Sequence, residues 1–262
     1  DHYRHFIRAD NMFLAVVGDF SVDELAAKVQ QRLGDWSARE SLGLPAVPAV
    51  APRFERGVFV IPRDLTQSNV VLGHFGIRRS NPDRYAIQIM DIILGGGGFS
   101  SRIMDRVRTE EGLAYSVFSS FPVGTRDIGL FRVTVQTKNE NVPRAVRTIL
   151  DEMARMRESM VTPAELAGAK EAIINSFVFR FTSRFSVVTQ LLTLEFDEYP
   201  PDYLDTLLDR YRAVTREDVQ RVARQYLRPD DTTVLVVGNT GPIEPALTAF
   251  GPVSRLPVPA AE

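Results

Sequence analysis

The chain has 262 residues, 44% hydrophobic and 24% charged, the composition of a globular protein long enough to build a substantial core in one or two domains. A formal net charge of −2 gives no electrostatic case for nucleic acid or an anionic membrane, and no apolar run approaches the roughly 20 residues that span a bilayer. The absence of cysteine excludes disulfides and cysteine-ligated zinc. Only 3 of the 31 basic residues are Lys, an Arg bias that points to a GC-rich bacterial genome rather than to a function.

In chain order, residues 12–18 are an apolar run of strand type. Ser21-Val-Asp-Glu24 is a capping box, and Val22, Leu25, Ala26, Val29 and Leu33 carry a helical stripe to Gly34. From Trp36 to Pro52 the periodicity disappears, and Pro45, Pro48 and Pro52 make a stiff, extended linker. Residues 58–61 and 69–77 read as strands joined by a polar turn. Asn81-Pro82 sets a cap before proline at the first helical position, with Ala86, Ile89, Met90 and Ile93 on the buried face.

Residues 94–117 carry the densest pattern. Four consecutive glycines, 95–98, end one helix and free the backbone. Ser100 and Ser101 cap a new helix, with Ile103, Met104 and Val107 on one face. Gly112 stops it, and Leu113, Tyr115 and Val117 then alternate with small residues at the strand period. Arg108 thus falls in the last helical turn and Tyr115 on the strand seven residues later. Residues 114–123 and 128–137 form a hairpin. Helices follow over 142–156, from the Thr162-Pro163-Ala164-Glu165 cap to 179, and over 185–196, 202–211 and 217–226. A last strand covers 233–237 and a short helix 242–250.

One internal repeat decides the organisation. Residues 6–20 align without gaps on residues 226–240 at an offset of 220, matching Arg8 with Arg228, Asp10 with Asp230 and Gly18 with Gly238. The economical reading makes 1–35 the tail of one module, 36–52 a linker, 53–250 a complete second copy and 251–262 a tail. The chain is then a fragment whose first module is mostly missing. The alternative is a chance match of a common strand-plus-glycine pattern.

The glycine run lacks the lysine of a P-loop, follows a helix rather than a strand, and has no acidic ribose partner, so nucleotide binding has no support. His2 and His5 have two-ligand spacing without a carboxylate between them or a third ligand nearby, and His74 stands alone as a strand histidine. No G-x-S-x-G nucleophile occurs. Read alone, Arg108 and Tyr115 are a helix-end cation and a strand tyrosine.

Gly97-Gly-Phe-Ser-Ser-Arg102 and Val107-Arg-Thr-Glu-Glu-Gly-Leu-Ala-Tyr-Ser-Val117 resemble the second, non-zinc module of the M16 (pitrilysin/insulinase-like) zinc peptidases, which include processing-peptidase-like bacterial members. Val16-Val-Gly-Asp-Phe20 is similar to the end of the family's preceding module, and Leu227-Arg-Pro-Asp-Asp231 with Val236-Val-Gly238 to the end of this one. The resemblance implies an α+β fold, an α/β roll of the LuxS/MPP-like metallohydrolase type: an antiparallel-rich sheet with helices packed on one face. It also implies zinc on an H-x-x-E-H helix, a motif this sequence lacks, so the metal belongs to the parent protein or a partner subunit and no cofactor to this chain.

By the same resemblance, Arg108 holds a substrate carbonyl and Tyr115 helps stabilise the tetrahedral oxyanion. Gly97, Gly98, Phe99, Ser100 and Ser116 line the peptide's path. The implied partners are a peptide and a homologous or zinc-bearing M16 module, in a homo- or heterodimer. The alternative from another class is an inactive structural relative, similar to respiratory-complex core subunits, against which the presence of both Arg108 and Tyr115 speaks. Peptide preference, and a periplasmic or cytoplasmic address, are not written in these residues.

Overall fold

The computed structural model describes Tyr3 and residues 6–36, 48–125 and 127–257. His2 and His5, most of the expected linker and the last residues of the expected tail lie outside them. The chain divides into two compact units, residues 1–49 with 175–203 and residues 50–174 with 204–262.

In the first unit, helix α1 (Val22–Leu33) begins where expected, the Glu24 N–H donating to the Ser21 hydroxyl at 3.2 Å. The strand expected over 12–18 does not form. The segment has no ladder partner among the described residues, and Met12, Phe13 and Leu14 are 53–63% exposed. A strand exists only through a neighbour's hydrogen bonds, which an apolar pattern does not supply.

The second unit is built on a six-stranded sheet. Strands β1 (Gly57–Pro62) and β2 (Gln67–Phe75) follow one another without pairing. Helix α2 (Arg84–Asp91) starts two residues after Pro82, and Asn81 spends its side chain on the Asp83 N–H at 2.9 Å. After α2 the helix widens over Ile92–Gly96, with Gly97 N–H donating to the Ile92 carbonyl, an i to i−5 bond of 2.9 Å. A single α turn, α3 (Arg102–Met104), widens in the same way over Asp105–Glu110. The helix expected from the serines is thus mostly π-helical. Ser101 marks its start, but its hydroxyl donates back to the Gly98 carbonyl at 2.7 Å. Gly112, at φ 61°, ends it.

Strands β3 (Ala114–Ser120) and β4 (Leu130–Lys138) make the expected antiparallel pair. Helices α4 (Val142–Glu158) and α5 (Pro163–Phe177) follow. The α5 capping box is reciprocal: Glu165 N–H donates to Thr162 at 3.1 Å and Thr162 N–H to Glu165 at 2.7 Å. Helix α6 (Arg184–Phe196) belongs to the first unit; the second continues with α7 (Tyr203–Ala213), α8 (Arg216–Tyr226), β5 (Thr233–Gly238) and α9 (Glu244–Leu247). Within the expected tail, Val253–Arg255 form a further strand, β6.

The strand order is β3-β4-β2-β5-β1-β6. Three neighbouring pairs are antiparallel, while β1 runs parallel to both β5 and β6. Alternation sends Leu72, Phe131, Val133, Val135, Val234 and Val236 to one face, where α4 lies over β2 and β4 and α8 packs on α2 and α4. The opposite face stays partly open to solvent. This is the α+β architecture expected, an antiparallel-rich sheet with helices against one side.

Two titratable groups sit in this core. His74 stacks on Phe131 at 4.8 Å, donates from Nδ1 to the Phe75 carbonyl at 2.8 Å and accepts the Arg228 N–H at Nε2, 3.3 Å away. Burial lowers its pKa to about 4. Asp91 closes α2, where burial raises its carboxyl to about 6 against the hydrogen bonds from Ser119 and Phe121. The two oppose each other. A depressed imidazole costs stability as pH falls from about 6.5 to 4, whereas a raised carboxyl costs stability as pH rises from about 4 to 6. Each effect is on the order of 3 kcal/mol at its limit. Asp91→Asn is therefore expected to unfold at a higher temperature at pH 7 and to gain stability steadily as pH rises from 4.5 to 6.5. His74→Gln should show the opposite slope. Thermal unfolding across that range checks both, and unchanged profiles would remove the linkage.

Candidate functional site

The glycine run is placed by packing as much as by flexibility. A Cβ on Gly95 would stand 2.6 Å from the Ser119 Oγ and 2.8 Å from the Ser119 backbone nitrogen, so the helix end approaches β3 as only glycine allows. Gly98 is different: nothing lies within 4 Å of its missing Cβ, and it adopts φ +66°, the left-handed turn that swings the chain outward.

That turn delivers Phe99 to Arg108. The Arg108 guanidinium lies 4.5 Å from the centre of the Phe99 ring and 4.9 Å from that of Tyr115. Tyr115 owes its position to a β-bulge. Ala114 pairs with Thr137 and Ser116 with Gln136, leaving Tyr115 as the extra residue on β3. The bulge resets the alternation, so Tyr115 and Ser116 both face out while Ala114 and Val117 are buried. Tyr115 is 83% exposed and Phe99 74%.

Of the residues expected at a site, the structure brings Phe99, Arg108 and Tyr115 into direct contact. Gly97, Gly98 and Ser100 are the loop around Phe99, with the Ser100 hydroxyl donating to the Gly97 carbonyl at 3.3 Å. Ser116 follows Tyr115 on the outward side of β3. A cleft of about 270 Å³ runs beneath the loop, between Gly97 and Ser100 on one side and Ala164, Gly168 and Ala172 of α5 on the other.

Arg108 forms no ion pair among the described residues. Two acidic neighbours are engaged elsewhere, Glu110 with Arg106 at 2.6 Å and Glu111 with Arg144 at 2.7 Å and Thr148 at 3.1 Å, while Asp105, a turn earlier, is exposed to solvent. Arg102 grips Glu165 with two bonds of 2.6 and 3.0 Å, tying the site helix to α5. Burial favours the neutral Glu165 carboxyl, but the Arg102 fork and the Thr162 N–H outweigh it and hold its pKa at about 2. No hydrogen bond to the Arg108 guanidinium or the Tyr115 hydroxyl is formed among the described residues.

The donor set is therefore a guanidinium, a phenol and serine hydroxyls. It suits a peptide oxygen and does not fit zinc. Among the described residues, no group of three or more His, Cys, Asp or Glu is placed to hold a metal. Sequence reasoning missed Asp91 and Ser119, which fasten the glycine run to β3, because neither belongs to a chemical motif.

The family model for the peptidase M16 inactive domain matches residues 1–173. A Streptomyces coelicolor protein named as an uncharacterized zinc protease is 30% identical over 236 residues, covering 87% of this chain and 51% of its own. The uncharacterized zinc protease YmxG of Bacillus subtilis is 25% identical over 236 residues, covering 89% and 56%. The crystal structure of a peptidase M16 inactive domain from Pseudomonas fluorescens superposes with a TM-score of 0.72 at 28% identity, over 85% of this chain and 52% of that one. The chain spans about half the length of the relatives it matches. By that match, borne on a sheet and helices shared with the Pseudomonas domain, the chain belongs to the peptidase M16 family and carries its inactive domain.

Proposed function

We propose that this chain is the substrate-side module of an M16 zinc peptidase, with the metal held by another module of the parent protein or by a partner subunit. The observation that carries this reading is the pair of half-buried Arg108 and exposed Tyr115, whose hydrogen-bond donors have no partner among the described residues. Arg108 grips a peptide carbonyl through its planar N–H fork, and Tyr115 donates its phenolic proton to the oxyanion as charge develops there. β3 is the terminal strand of the sheet, so its free edge can take an extended peptide alongside Tyr115. Gly97, Gly98, Phe99, Ser100 and Ser116 line that path.

We also propose that residues 1–35 are the tail of a preceding homologous module. The repeat supports this in three dimensions: Ala9–Asn11 and Pro229–Asp231, offset by 220, are both single 3-10 turns. Residues 12–18 then correspond to β5, a strand flanked on both sides, and their exposed apolar side chains await a sheet of their own.

In the whole zinc protease, Tyr115→Phe should lower kcat about 10²–10³-fold with little change in KM, because the oxyanion exists only in the transition state. Arg108→Lys keeps the charge and loses the fork, so KM should rise as kcat falls. Wild-type turnover by both variants would leave the pair without a catalytic role and make the chain a scaffold. For the tandem reading, amide exchange of this chain should be faster over 12–18 than over 233–238. Equal protection of the two segments would refute it.

A further inference from the structure

We infer that Asp91 is a positioning residue for the Arg108–Tyr115 pair, clamping the root of the glycine loop to the strand that carries Tyr115. Asp91 is mostly buried and has no cation partner among the described residues. One carboxylate oxygen accepts the Ser119 hydroxyl at 2.5 Å and the other the Phe121 N–H at 3.2 Å. Both bonds therefore reach the end of β3 and the residue after it. A largely buried carboxylate without a cation is a costly way to fill space, and an apolar side chain would do that better.

The glycines fit around this clamp. A Cβ on Gly95 would meet Ser119, and one on Gly96 would stand 2.9 Å from the Asp91 Oδ2. Beyond them the loop turns at Gly98 and lays Phe99 against Arg108, which lies against Tyr115. The loop is thus fixed to β3 twice: at its root through Asp91 and at its tip through the guanidinium. Cutting the root frees Phe99 to leave Arg108. The tip contacts are exposed and weak by themselves, so the orientation of the pair depends on the buried end.

The test reads Arg108 directly. In the isotopically labelled chain, the Arg108 Hδ and Hε resonances, identified through Arg108→Lys, should be shifted upfield by the two rings. Asp91→Ala should remove at least half of that shift while the spectrum stays dispersed. Asp91→Asn should restore it, since an amide can accept the Phe121 N–H and donate to the Ser119 oxygen. If Asp91→Ala does not fold, Ser119→Ala cuts the shorter of the two bonds and should remove part of the same shift. An unchanged Arg108 shift in whichever of these variants is folded overturns the proposal. Its catalytic consequence rests on the substrate-side reading above. In the whole zinc protease, Asp91→Ala should lower kcat about tenfold, with Asn recovering it. A lost Arg108 shift with kcat intact would uphold the clamp and overturn the catalytic reading of the pair.

Discussion

The end of α2 and the strand β3 touch so closely that a single methyl group would not fit between Gly95 and Ser119. Everything around the candidate site depends on that contact. It sets the depth at which the glycine loop leaves the core, and so the point from which Phe99 reaches out. It also brings the π-widened turn bearing Arg108 within reach of the bulge that exposes Tyr115. Replacing Gly95 would force the two elements apart and move both donors, without touching either one. Packing density thus acts on chemistry at a distance, because a close-packed interior transmits a small displacement instead of absorbing it.

Electrostatics reinforces this placement by removing competitors. The glutamates that follow Arg108 are bound by Arg106 and Arg144, and Glu165 of α5 by Arg102. These partly exposed pairs contribute little to stability individually. Their effect is allocation: arginines pair with the glutamates and leave one guanidinium that, among the described residues, is held by aromatic rings. Ring contacts orient a cation without consuming its hydrogen-bond donors, which a carboxylate partner would do.

Much of this was legible in the sequence, because helices with caps and apolar stripes depend on local residues. The α5 capping box and the β3–β4 hairpin appear where the pattern puts them. What could not be read was relational. Nothing in residues 12–18 distinguishes a strand from an extended segment without a neighbour, and nothing in 251–262 announces that Val253–Arg255 will pair beside β1. The insertion of β5 between β1 and β2, contributed by residues far along the chain, is likewise invisible locally. At the site, Arg108 and Tyr115 stood out only through the family resemblance; read alone they were a helix-end cation and a strand tyrosine. Their geometry was not legible, since it rests on one bulged residue and on two π-type turns that leave the same apolar spacing as an α-helix.

The content of the site also bears on what the chain can do unaided. Peptide hydrolysis needs an activated water and a group to take its proton, beyond donors that steady the oxyanion. Arg108 and Tyr115 themselves are donors at neutral pH. The nearby glutamates are committed to ion pairs, and burial keeps the imidazole of His74 neutral, with both ring nitrogens in hydrogen bonds within the core. On the proposed reading, such a surface offers donors to a peptide bond, and the base is left to the zinc-bearing module. The proposed division of labour follows from this content: donors at the edge of this sheet, with the nucleophile on the module that holds the metal.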